Sequence, residues 1–346
     1  MRHLNVLTGL LAAGALLAGG LAQAQDEAKF WRIGTGSSGG TYYPVGGLIS
    51  QAISNPPGAR PCEEGGSCGV PGLVAIAQST NASAHNVNAV QAGQLEAGLA
   101  EAGVVYMAYH GEGPFEGHQK PDLRAIAGLF PEHLHLVLHK DVSLDSLQDL
   151  KGKRVGIFQA GSGSQIAVLA ILDEFGLSLD DIDEAELNTQ QSAERLADGQ
   201  LDAFFVTGGT PMAGLVQLGA TRGFNLYRFS DEEVQRISDA LPYYTPATIE
   251  AGTYENIESD VPTTAVTAVL VTNADQPDEL IHDVTEALFH ERSQALFGDG
   301  HPKAGAITLD TALDGVAIPL HPGAQAFYEK KGMTIPQMAQ AEQGAQ

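Results

Sequence analysis

The 346-residue chain carries 18 lysines and arginines against 42 aspartates and glutamates, a formal charge of −24 at neutral pH. A field of that sign repels nucleic acid and anionic lipid surfaces, so neither is an expected partner. The length, less an N-terminal leader, suits two lobes of roughly 100 to 200 residues each.

Arg2 and His3 precede an Ala/Leu/Gly-rich run from residue 4 to 21, and Ala22-Gln23-Ala24 reads small-x-small. These are the parts of a secretory signal over residues 1–24, with cleavage expected after Ala24 and a periplasmic location for the rest. The apolar run is short for a spanning helix and no comparable run follows it, so the expected product is soluble; a retained anchor is the alternative.

A strand expected over 30–33 then leads through GTGSSGGTYYPVGG into a helix over 42–54. A strand that ends in such a loop brings several backbone N–H groups and a helix N-terminus to one point, which suits a small anion. Gly34, Gly36 and Gly39 spell G-x-G-x-x-G, yet the acidic residue that a dinucleotide fold places about 20 residues on is missing, since Ser54-Asn55-Pro56-Pro57-Gly58 stands there. A tight turn is the plain alternative. Cys62 and Cys68 are the only cysteines. In an oxidising compartment they read as a short disulfide clip worth roughly 2 kcal/mol. A metal would need further ligands, and only Glu63 and Glu64 are adjacent.

Further strands are expected over 73–77, 98–100, 123–129, 134–138, 154–158, 203–206 and 265–272, with helices over 85–92, 164–175, 190–198, 210–218, 231–240, 277–297 and 322–331. That alternation is the pattern of an α/β protein. The polar stretch 338–346 reads as a disordered tail. The section 124–243 has its own strand-helix series between the loop-like GEGPFEGHQKPD and LPYYTP, and is expected to be an inserted lobe II. Lobe I is then discontinuous, 25–123 with 244–346. Two crossings make a hinge with a ligand cleft between the lobes.

Three more polar strand-to-helix loops resemble the first: Gln78-Ser79-Thr80-Asn81 leading to Asn86, Gln159-Ala160-Gly161-Ser162-Gly163-Ser164, and Thr207-Gly208-Gly209-Thr210-Pro211. Their hydroxyls and helix N-termini can hold a carboxylate without a local cation, although simple capping also selects these residues. Of Tyr42-Tyr43 and Tyr243-Tyr244, one ring of each pair can face the cleft and one the core. His133, His135 and His139 raise a metal reading, but a half-exposed strand face explains them equally well and no metal is expected. Neither cysteine is placed as a nucleophile, and nothing nominates catalytic residues.

Taken together, IGTGSSGGTYYPVGG, the Ser79-Thr80 to Asn86-Val87 segment, LKGKRVGIFQAGSGS, LADGQLDAFFVTGGTP, AGTYENIESDVPT and IPLHPGAQAFYEKKG resemble the TAXI family, the TRAP-associated extracytoplasmic immunogenic solute receptors. The resemblance spans nearly the whole chain after the leader, in order. It implies a type II periplasmic-binding-protein fold and a monomeric receptor, not an enzyme and without a cofactor. Such a receptor closes on a small organic anion, an amino acid or a dicarboxylate such as glutamate or 2-oxoglutarate. The implied partner is a TRAP permease, often with fused membrane subunits; a ligand-sensing module that signals to a membrane protein is the alternative. The ligand positions implied are Gly36, Ser37, Thr41, Tyr42, Thr80 and Asn86, then Ser162, Gly163, Ser164, Thr207, Gly208 and Pro211. Two residues depart from the family pattern. Glu101 stands where a glutamine is frequent, and opposes a dianion or pairs with an ammonium group if it faces the cleft. Glu250 replaces a common proline near the hinge.

Overall fold

The computed structural model of the protein describes residues 28–340. The leader with its cleavage point, and the tail after Gln340, lie outside the described residues. The strands are β1 (Lys29–Gly34), β2 (Ser54–Asn55), β3 (Val70–Pro71), β4 (Leu73–Gln78), β5 (Ala97–Glu101), β6 (Leu123–His139), β7 (Arg154–Gly156), β8 (Asp183–Ala185), β9 (Ala203–Gly208), β10 (Phe224–Leu226), β11 (Thr245–Ile249) and β12 (Val261–Asn273). All but β2 and β3 join one sheet in the order β4-β1-β5-β12-β6-β9-β7-β8, with β10 on β6 and β11 on β12.

The order repeats itself. On one side β4, β1 and β5 run parallel, β12 is antiparallel to β5, and the first part of β6 lies beyond it. On the other, β8, β7 and β9 run parallel, the second part of β6 is antiparallel to β9, and β10 lies beyond it. Each half is therefore a small parallel α/β sheet with one antiparallel strand lent by the other half. Parallel strands covered on both faces are apolar throughout rather than alternating, and AFFVTG in β9 is buried at every residue.

β6 corrects two expectations. Two strands are expected here, over 123–129 and 134–138, and the proline between them has no N–H for the ladder. The strand instead runs unbroken for 17 residues, with Pro131 opposite Thr267 and register irregularities nearby that absorb its bend. The strand is also central, so His133 and His135 are buried rather than on a half-exposed face, while His139 at its end is partly exposed.

Helix bounds shift for local reasons. The helix expected over 277–297 is two, Asp278–Leu288 and Glu291–Gly300, because His290 is extended and its ring Nδ1 accepts the Arg292 N–H at 3.2 Å. The one expected at 210 starts at Ala213, after an extended Met212. A helix not foreseen, Ala102–His110, follows β5 without any loop and ends on Gly111 at φ 72°. The polar tail is ordered where described, since Leu320 N–H donates to Ala339 at 2.9 Å.

One large core packs Trp31, Ile49, Leu99, Leu270 and Phe327, and a smaller one gathers Val137, Phe204, Leu215 and Tyr254 in the second half. Cys62 and Cys68 are disulfide-bonded, and Arg292 Nη1 reaches Gly66 in the clipped loop at 3.1 Å. No helix among the described residues is long and apolar enough to cross a membrane.

Leu270 is fully buried where β12 lies between β5 and β6. Leu270→Ala should cost about 2–5 kcal/mol, and reduction of the disulfide, which closes a short loop, about 2 kcal/mol. Urea unfolding of the oxidised, reduced and substituted proteins measures both, and a larger loss on reduction would contradict this ranking.

Candidate ligand-binding site

The loops after β1 and β9, the segment after β7 and the start of the helix Ser83–Gln91 close around a cavity of about 40 Å³. That is space for the centres of a few water-sized groups. The two halves touch across it: Thr41 Oγ1 donates to the Gly209 carbonyl, Gly214 N–H to Gly39 at 3.0 Å, and His85 N–H to Gly161 at 3.0 Å. The Thr41 hydroxyl points across the cleft and makes no side-chain cap on the helix Tyr42–Ile53. That helix N-terminus favours an anion.

Two carboxylates line the same cavity. Glu101 closes β5 and is 4% exposed; Glu132 lies in the middle of β6 and is 2% exposed. Each receives a tyrosine hydroxyl, Tyr244 to Glu101 Oε2 at 2.8 Å and Tyr42 to Glu132 Oε2 at 2.6 Å. Tyr244 also meets Thr207 Oγ1 at 3.2 Å, and Ser164 Oγ accepts the Thr207 N–H at 3.0 Å, so the Glu101 network reaches both later loops. The Glu101 carboxylate rests against Gly163, the first residue of the helix Gly163–Glu174, where any side-chain carbon would collide with it. Among the described residues no lysine or arginine lines the cavity.

Burial pushes Glu101 up to about 7, with the Tyr244 hydrogen bond pulling the other way. Burial also raises Glu132 well above the usual carboxylate range; the Glu101 charge adds to this, while the Tyr42 bond and the Lys303 charge oppose it. A site with two such carboxylates is short of positive charge.

Backbone strain collects here too. Among the described residues the non-glycine positions with positive φ are Ala82 (68°) and Phe158 (71°), and both line the cavity. Such conformations cost on the order of 1–3 kcal/mol each and gather at ligand clamps.

Of the residues expected at the site, Gly36, Ser37, Thr41, Tyr42, Glu101, Gly163, Ser164, Thr207 and Gly208 line the cavity. Thr80, Asn86, Ser162 and Pro211 do not. Asn86 is fully buried and donates to the Thr35 and Leu99 carbonyls at 2.8 Å each, and Thr80 Oγ1 donates to Thr35 at 2.8 Å, so this pair braces the end of β1. Ser162 caps its own helix by accepting the Gln165 N–H at 3.1 Å. Pro211 lies in the turn before Met212, and Met212 is the residue that reaches the wall. Tyr43 is 41% exposed rather than in the core, while Tyr42 faces the cavity.

Sequence reasoning missed Glu132, Phe158 and Thr189 on the wall. A lone glutamate inside the apolar run LFPEHLHLVL was the available signal. The neighbouring histidines do not gather with His139. His135 Nε2 pairs with the Tyr254 hydroxyl at 3.0 Å and its Nδ1 with the His133 carbonyl at 2.8 Å. Burial lowers His133 to about 4 and His135 to about 3. Groups of three possible metal ligands among the described residues are Cys62–Cys68–His290, whose cysteines are bonded to each other, and His282–Asp283–Glu286.

Glu101 binds its proton more tightly folded than unfolded, so the ligand-free protein should be most stable below pH 4.5 as far as this group is concerned. That contribution is lost as pH rises through about 7, and is on the order of 3 kcal/mol in all. Glu101→Gln should flatten this slope in denaturant midpoints measured between pH 4.5 and 7.5; an unchanged slope would refute it. Ala82→Gly should relieve strain and raise stability by about 1 kcal/mol, read from the same midpoints.

Solved structures similar to this chain share little sequence with it. A protein of Bordetella bronchiseptica RB50 is 15% identical, with 91% of this chain and 86% of that chain covered, at a TM-score of 0.50. The periplasmic aliphatic sulphonate binding protein SsuA from Escherichia coli is 16% identical over 92% and 94%, at 0.42, and an ancestral arginine-binding protein bound to arginine is 14% identical over 78% and 97%, at 0.46. The likeness to the Bordetella protein shows the fold alone, a mixed α/β fold with one sheet shared by two halves. A family model matches residues 33–332, and the chain belongs to the NMT1-like family.

Proposed function

We propose that the protein is an extracytoplasmic solute receptor that closes its two halves on a small organic acid or amino acid. It then delivers the ligand to a TRAP-type secondary transporter. The observation that carries this reading is the cavity between the halves, walled by polar strand-to-helix loops from both and holding two buried carboxylates. Sequence blocks similar to the TAXI receptors support the TRAP partner. Closure is favoured only by contacts the ligand makes in the closed state and not in the open one, and the wall residues from both halves supply such contacts.

Charge selects between the two kinds of ligand. A dicarboxylate would face Glu101 and Glu132 with no cation among the described residues of the wall. The ammonium of an amino acid would favour the ionised form of these two acids and pair with them, while its own carboxylate meets the N-terminus of Tyr42–Ile53. Lys303 contributes a positive charge toward Glu132 from outside the wall.

Native mass spectrometry of the chain, as purified and after refolding, against glutamate, glutamine, 2-oxoglutarate and C4-dicarboxylates tests this. A one-to-one adduct with amino acids is expected, and Glu132→Gln should weaken it by ten-fold or more, the loss of a charge-assisted hydrogen bond. Adducts with dicarboxylates alone would overturn the charge argument, and no adduct with any solute would overturn the receptor reading. A gene neighbour encoding a large polytopic permease supports the TRAP partner; one encoding a transport ATPase or a sensor kinase argues for another.

A further inference from the structure

A second, larger cavity of about 420 Å³ shares Glu101 and Gly163 with the first. Tyr244, which holds Glu101, also lines it. Its walls are otherwise largely apolar, with Val104, Met107, Ile166 and Leu241. Tyr106 and Tyr243 stand together on it with ring centroids 5.0 Å apart and planes tilted by 40°. Among the described residues, the charged ones on this wall are Glu101 and Glu112, and no lysine, arginine or histidine lines it.

The two cavities complement each other in size and polarity. The first has room for the polar head of a ligand but little else, at about 40 Å³. The second lies within the roughly 300–1,000 Å³ of ordinary small-molecule sites and offers an apolar surface with an aromatic pair. An anion would find only carboxylates there. An organic cation finds a charge-assisted partner in Glu101 and tyrosine faces that accept both a cation and an apolar ring.

We propose that the second cavity is a compartment of the same cleft, and that it takes the apolar or aromatic body of a ligand whose ammonium group sits at Glu101. The proposal rests on the receptor reading and narrows its ligand to amines with an apolar body, such as aromatic amino acids or arylalkylamines.

Three compounds with one phenyl body separate the possibilities: L-phenylalanine, 2-phenylethylamine and 3-phenylpropionate, titrated calorimetrically into the purified chain beside glutamate and succinate. The two amines should bind and the propionate should bind at least ten-fold more weakly. Ala240→Trp, which adds a bulky ring at an exposed position that lines the second cavity and not the first, should weaken both amines ten-fold or more, as should Glu101→Gln. Propionate binding as tight as the amines, or amine affinity untouched by Ala240→Trp, overturns the proposal. If glutamate or succinate binds and no phenyl compound does, the proposal fails and the receptor reading stands; if nothing binds, both fail. Thermal unfolding verifies that Ala240→Trp is folded, and the comparison of the three compounds on the unaltered chain decides the charge argument without any variant.

Discussion

The antiparallel pairing of β6 with β12 is the constraint on which the rest of the molecule depends. β12 pairs along residues 265–273 with residues 133–123 of β6, and each strand then continues into the other half of the sheet. There β6 meets β9 and β10, and β12 meets β11. Without this pair the two parallel sheets would share no backbone ladder. With it, the C-terminal ends of β1, β5, β7 and β9 converge on one cleft, the position where open α/β sheets place their ligands. Glu132 lies within the same pair, opposite Val266, so a charged group of the site is built into the strand that joins the halves.

Electrostatics inside the cleft runs against the simplest expectation from its loops. Glycine, serine and helix N-termini suggest an anion seat, and the geometry supplies them. One of those seats, however, is already taken by the protein's own Glu101, which lies against Gly163 at the head of Gly163–Glu174. The N-terminus of Tyr42–Ile53 is left without a side-chain cap, and Thr41 bonds across to Gly209. The cleft thus pairs an open anion seat with two buried acids, an arrangement suited to a ligand carrying both signs of charge.

What could be read from the sequence follows from how local each cause is. The strands β1, β4 and β9 and the helix Asp231–Ala240 were legible because hydrophobic period and serine caps act within a few residues. The glycine-serine loops were legible as cavity walls for the same reason. Continuity of β6 through Pro131 was not, because it depends on β12, more than 130 residues away, holding the strand on either side. Thr80 and Asn86 resembled ligand contacts, yet they brace the Thr35 carbonyl, since a buried amide serves either purpose and only tertiary context chooses. Glu132 was visible as an odd charge in an apolar run, but its partner Tyr42 lies 90 residues earlier, so nothing nearby marked it as part of the site.

The absence of any loop between β5 and Ala102–His110 makes Glu101 at once the end of a strand and the residue before a helix. A residue inserted at this junction would turn the helix by about 100° relative to the strand, and one inserted within β5 would swing the carboxylate to the opposite face of the sheet. Neither change could be absorbed by slack in the chain. Divergence of ligand preference at this position is therefore confined to exchanging the side chain itself, glutamate for glutamine or a shorter acid, while the length of the segment stays frozen.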